Sequence, residues 1–159
     1  MPQVLTHSEV TSLLSAPDLR GKWGRRDRAF LSVMALGGLR IAEVCSLKRE
    51  HVLQDGALTR LTFAGKGAKM RTVTLPHVAA AALHATLKDF PGPHIFYSGH
   101  GRPLRARSGR WVAQRYFDAL GFEAWVHPHS LRHTCATMLL RVTDMRTVQR
   151  TLGHTSPQT

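Results

Sequence analysis

The chain has 159 residues, enough for one domain that buries a core without disulfide or metal staples. Its 22 lysines and arginines against 10 acids leave a formal charge of +12, in a composition that is otherwise ordinary at 43% hydrophobic and 20% charged residues. Such an excess repels itself unless a polyanion neutralises it, which makes nucleic acid the leading partner, and the lack of any apolar run of about 18 residues excludes a membrane-spanning helix.

No N-terminal stretch has the form of a signal peptide, so a cytoplasmic protein is expected. Cys45 and Cys135 each fall inside an apolar helical pattern and read as buried free thiols. Leu5-Thr6-His7-Ser8-Glu9-Val10 predicts a helix start: Thr6 caps, Glu9 closes a capping box, and Leu5 staples to Val10. That helix runs to about Leu14 and stops at Pro17. A basic stretch with Arg20, Lys22, Arg25, Arg26 and Arg28 enters a second helix, whose apolar face is Phe30, Leu31, Val33, Met34 and Leu36. Gly37-Gly38 break it, and helical spacing resumes from Ile41 to Leu47.

From Leu58 the pattern changes period. Leu58, Arg60 and Thr62 alternate with Thr59, Leu61 and Phe63, Gly65-Lys66-Gly67 turns the chain, and Arg71-Thr72-Val73-Thr74-Leu75 returns, which predicts a hairpin. An alanine-rich helix follows Pro76 over about 77–87, and Pro91-Gly92-Pro93 forces a loop before a short extended piece at His94 to Tyr97. The next segment carries Arg102, Arg105, Arg107, Arg110 and Arg115 and no acid, and enters a helix with Trp111, Val112 and Phe117. Beyond Pro128 two helices are expected, over about 130–141 and 144–152, the second ended by Gly153. The fold class expected is α+β, mainly α-helical with a small antiparallel sheet.

The chemistry sits in a few short boxes. His129-Ser130-Leu131-Arg132-His133-Thr134 places His129 and Arg132 three apart on one helical face, at an N-terminal end whose backbone N–H groups also favour an anion. Guanidinium forks match phosphate oxygens and imidazoles titrate near neutrality, so the pattern points to phosphoryl transfer. Alone it equally describes a surface arginine behind a capping histidine. Three further boxes accompany it: Gly38-Leu39-Arg40-Ile41-Ala42-Glu43, Gly65-Lys66-Gly67-Ala68-Lys69-Met70-Arg71, and Leu152-Gly153-His154.

In this order and with these gaps, the four boxes resemble those of the tyrosine recombinases, the phage-integrase family, and specifically their catalytic domain, over about 5–159. The resemblance implies that Arg40 and Arg132 clamp the non-bridging oxygens of a scissile phosphate and stabilise its pentacoordinate transition state. It makes Lys66, at the hairpin tip, the acid for the departing 5′ oxygen, with Lys69 a near rival. His129 becomes the acid/base partner of the nucleophile, and His154 a hydrogen-bond donor to the phosphate. Glu43 would orient Arg40 or a histidine, and His133 would be a buried structural hydrogen-bonder. Duplex DNA is the implied partner, with Arg25, Arg26, Lys69, Arg71, Arg102, Arg105, Arg107 and Arg110 on its backbone. Self-association on DNA in the full-length protein, a nucleoid-associated location and no cofactor complete the expectation.

Two departures stand out. The family's nucleophilic tyrosine is expected beyond Thr159, and neither Tyr97 nor Tyr116 lies in its motif. The family's N-terminal helical domain is also missing from this sequence. The expectation is therefore one catalytic domain over 1–159, truncated and inactive for covalent cleavage. A non-catalytic DNA-binding fragment and a type IB topoisomerase-like domain are the alternatives. A metal site on His129 and His133, with His127 nearby, is disfavoured: Ser130 stands where a metalloprotease pattern needs Glu, and the carboxylates are scattered.

Overall fold

The structure, a computed structural model, describes residues 3–140. Thr6 opens the first helix, α1 (His7–Ser15): its hydroxyl accepts the Glu9 N–H while the Glu9 carboxylate accepts the Thr6 N–H. Leu5 and Val10 are both buried beside that cap. The Leu5 N–H also donates to the Thr134 hydroxyl, 3.0 Å away, which ties the start of the chain to its last described helix.

The second helix, α2 (Lys22–Gly37), is the axis of the molecule. From Ala29 to Ala35 every side chain is buried, so this stretch is enclosed on all sides and not amphipathic. It touches α1, α3 (Ile41–Ser46), the third strand and all three later helices. Gly38 ends it in the left-handed region at φ 72°, where its N–H returns to the Met34 carbonyl at 3.1 Å. A residue with a Cβ would be strained in that conformation.

Three antiparallel strands follow, in the order β1 (Val52–Asp55), β2 (Leu58–Ala64), β3 (Met70–Leu75). The expected hairpin is β2–β3, with Leu61 opposite Val73 and Phe63 opposite Arg71. The extra strand β1 is short and mostly exposed, so it carries no alternating apolar signal. The inward positions of β2 and β3 are Thr59, Leu61, Phe63, Arg71, Val73 and Leu75, which close one side of the core.

The alanine-rich helix α4 (His77–Asp89) packs along α2 through Ala79, Ala82 and Leu83. Helix α5 (Ala106–Ala119) turns Gly109, Val112, Ala113 and Phe117 inward. Trp111 was expected among the apolar positions, but it is 64% exposed, since it lies on the opposite side of the helix from that inward stripe. Helix α6 (Pro128–Leu140) begins with proline in the first turn, where the missing N–H costs nothing, and packs on α2. The helix expected over about 144–152 lies outside the described residues.

Gly109 permits the approach of α5 to α3. A Cβ built there would stand 2.7 Å from the Phe30 ring and 3.1 Å from the Cys45 sulfur. Alanine gains roughly 0.5–1 kcal/mol over glycine within a helix, whereas forcing a methyl into a packed core costs about 1–3 kcal/mol. The steric term is the larger, so Gly109→Ala should lower stability by about 1–2 kcal/mol in urea unfolding. A variant as stable as the parent would show that α5 and α3 are not packed this tightly.

Candidate active site

The left-handed turn at Gly38 sets the geometry of the site. It redirects the chain so that Arg40 precedes α3, and it exposes the Gly38 carbonyl to α6. Nη1 of Arg132 donates to that carbonyl at 2.6 Å, linking positions 94 residues apart in sequence. Arg40 and Arg132, 92 residues apart in sequence, thereby line one cleft of about 380 Å³. Leu39, Ile41, Ala42, Arg110, His127, Pro128 and His129 complete its wall.

Glu43 organises the cationic side of this cleft. One carboxylate oxygen accepts the Arg40 N–H at 2.8 Å, closing the first turn of α3, and the other stands 3.7 Å from Nη1 of Arg40. The same carboxylate receives Nη1 of Arg71 at 3.3 Å. Glu43 and Arg71 are both buried, so this pair is shielded from water. Arg71 also lies over the Phe63 ring, 5.1 Å from its centroid.

The hairpin tip passes directly beside this group. A Cβ at Gly65 would stand 3.4 Å from a Glu43 carboxylate oxygen. Lys66, the next residue, opens a short 3-10 turn (Lys66–Ala68) and is exposed, as is Lys69. Gly67 at φ 75° and Ala68 at φ 60° make that turn tight.

Along α6 the imidazoles form a row. His127 and His129 stack with centroids 6.2 Å apart, and His133 meets His129 edge to face at 4.4 Å. The titration of His129 is displaced below the ordinary histidine value by its partial burial first, then by His133, Arg132, His127 and Arg40. Burial, followed by repulsion from Arg40 and Arg71, brings Arg132 down to about 10. Near neutral pH the cleft thus pairs a protonated Arg132 with a neutral His129 able to accept a proton. Among the described residues no group of three His, Cys, Asp or Glu side chains is disposed to hold a metal ion.

Several expected residues fall elsewhere than supposed. Arg26, expected on DNA, is buried, with its guanidinium on Asp27 at 2.7 and 2.9 Å and on the Tyr97 carbonyl at 2.9 Å. Arg25 grips Asp89 with two hydrogen bonds of 2.6 and 3.0 Å. Arg71, also expected on the DNA backbone, is instead the buried partner of Glu43 inside the site. The signal for it was available: position 71 is in register with the inward residues Val73 and Leu75 at period two. His133 is half-buried and makes a ring contact with His129, where a buried hydrogen-bonder was expected. Arg102, Arg105, Arg107 and Arg110 are exposed, and Arg110 reaches the cleft, as does His127. His154 lies outside the described residues.

Neither tyrosine lines the cleft. The Tyr116 hydroxyl donates to Asp27 at 2.5 Å, and burial together with that carboxylate pushes its phenol well above the ordinary range. Tyr97 accepts the His94 N–H at 3.0 Å and stacks on Phe90.

A model of the phage integrase family matches residues 3–159. The chain belongs to the phage integrase family. It is 38% identical to the tyrosine recombinase XerC of Chlamydia muridarum (strain MoPn / Nigg) over 168 residues, covering 100% of this chain and 52% of that protein. The structure is similar to the crystal structure of XerA recombinase, with a TM-score of 0.85 at 27% identity, over 99% of this chain and 58% of that one. XerH recombinase bound to its difH substrate, in a pre-cleavage complex, shares the fold at a TM-score of 0.86 and 24% identity, over 99% of this chain and 48% of that one. The integrase-family chain spans about half the length of the curated relatives it matches.

The displaced titration of His129 is directly measurable. Followed by NMR, its midpoint should fall below the ordinary value of about 6.5. Removing a nearby cation by Arg40→Ala should raise that midpoint, without restoring it fully because burial remains. A midpoint above 6.5 in the parent protein would contradict the electrostatics described here.

Proposed function

We propose that this chain is the phosphate-activating part of a site-specific tyrosine recombinase that cleaves and rejoins duplex DNA through a 3′-phosphotyrosine. The observation that carries this reading is the convergence of Arg40 and Arg132 on one cleft with His129. Each guanidinium offers paired donors to phosphate oxygens, and their mutual repulsion in a half-buried site is relieved when an anion enters. His129, held neutral, takes the proton of a tyrosine hydroxyl as its oxygen attacks phosphorus. Arg40 and Arg132 stabilise the five-coordinate phosphorus by hydrogen bonds that strengthen as charge develops. Lys66 gives a proton to the 5′ oxygen as the phosphorus–oxygen bond breaks, leaving a 3′-phosphotyrosine and a free 5′-hydroxyl.

The sequence holds two tyrosines, and the phenol of Tyr116 is bound to Asp27 while that of Tyr97 is bound at the His94 loop. The attacking tyrosine is accordingly assigned to a segment outside this chain. In this reading the 159 residues are one catalytic domain that works beside an N-terminal domain and a tyrosine-bearing helix. The full protein self-associates on DNA in the nucleoid, and His154 donates a hydrogen bond to the phosphate. The +12 charge and the exposed Arg102, Arg105, Arg107 and Arg110 supply sequence-independent attraction to the duplex.

A nicked duplex that traps the covalent intermediate tests the reading. The chain by itself should give no DNA-linked band under denaturing conditions. Extension by its natural continuation, with a tyrosine, should produce one. In that extended protein Arg132→Ala should slow trapping on the order of 10²–10³-fold, as loss of one preorganised oxyanion donor does. A covalent adduct through Tyr97 or Tyr116 would overturn the nucleophile assignment. An extended protein that binds DNA but never traps would favour a non-catalytic DNA-binding fragment.

A further inference from the structure

The outward face of α5 carries an unusual combination. Arg107, Arg110 and Arg115 project from it with Trp111 among them, and the indole is 64% exposed. A single exposed aromatic is ordinary on a protein surface. This one is held in place: the Arg115 guanidinium covers the ring at 4.7 Å from its centroid, and Arg115 is itself anchored on buried Asp27 at 3.4 Å. A side chain so braced has lost much of its rotamer freedom before any partner arrives, which lowers the cost of binding.

The position of α5 limits what that partner is. Arg110 lines the cleft with Arg40 and Arg132, and Trp111 is its immediate neighbour on the same helix. A duplex with one phosphate in the cleft lies against Arg110, and where it runs on across the outward face of α5 it meets Trp111, about 100° farther round the helix. An α-helix fits the major groove of B-DNA, where intact base pairs are stacked and their faces closed to an indole. On the floor of that groove the apolar groups are the 5-methyls of thymine.

We propose that Trp111 is a specificity residue that reads thymine 5-methyl groups in the major groove of the duplex arm beside the cleft. The proposal rests on the DNA-strand-transfer reading above. In it Arg107 and Arg110 contact phosphates and carry no sequence information, whereas Trp111 contributes preference without charge.

Two duplexes separate these terms: alternating A·T, which presents a thymine methyl at every step of the groove, and alternating A·U, which keeps the pairing and lacks every methyl. The whole chain should bind the first about fourfold tighter than the second for each methyl buried. Trp111→Ala should bind A·T as weakly as A·U, with a salt dependence parallel to the parent's, because no phosphate contact is lost. Since the indole is exposed, this variant should melt at the parent's temperature, and Trp111→Leu should keep part of the preference. A parent indifferent to the methyl, or a Trp111→Ala variant that retains the preference, overturns the assignment while DNA binding stands. Failure of the parent to bind either duplex at low salt would overturn the DNA-strand-transfer reading itself, and this proposal with it.

Discussion

Among the described residues three guanidiniums, those of Arg40, Arg71 and Arg132, gather around the buried carboxylate of Glu43, and the geometry of the cleft depends on that cluster. Glu43 draws the Arg40 backbone and the Arg71 side chain to itself, while Arg132 is held from the other side by the Gly38 carbonyl. Arg40 and Arg71 both lower the titration of Arg132, after burial, and Glu43 offsets them only in part. Guanidiniums gathered this closely repel one another, and the proposed phosphate would relieve that repulsion.

Much of the fold exists to hold those charges together against repulsion. Helix α2 is enclosed by its neighbours and ends at a left-handed glycine whose carbonyl faces α6. The hairpin delivers Arg71 inward on the same face as Val73 and Leu75, and brings Gly65 against Glu43. Gly109, lacking a side chain, leaves room for Phe30 of α2 and Cys45 of α3 against α5. A second polar cluster binds the far half of α2: buried Asp27 takes Arg26, Arg115 and Tyr116 together. That cluster engages a tyrosine and two arginines that would otherwise be available for chemistry.

The local devices were legible in the sequence. The Thr6–Glu9 capping box, the Gly37-Gly38 break, the β2–β3 hairpin and the helix carrying His129 and Arg132 all follow from spacing and residue type. What could not be read was which charged residues find partners across the fold. Arg26 reads as part of a basic surface run until Asp27 and the Tyr97 carbonyl enclose it. Arg71 reads as a DNA-backbone contact at the start of the returning strand, although its phase with Val73 marked it as inward. Trp111 shows that an apolar residue of a helix is placed by its angular position: its type does not tell it from Val112 and Phe117, yet it is exposed while they are buried. Strand β1 escaped because four mostly exposed residues carry no hydrophobic period. In each case the deciding information is a contact distant in sequence or a phase along the element.

The most direct measurement is a crystal structure of the chain soaked with orthovanadate, whose five-coordinate geometry imitates phosphorus under attack. Vanadate is expected in the cleft between Arg40 and Arg132, hydrogen-bonded to both guanidiniums, with His129 on its rim. Vanadate held elsewhere on the surface, or Arg40 and Arg132 found facing different sides of the molecule, would contradict it.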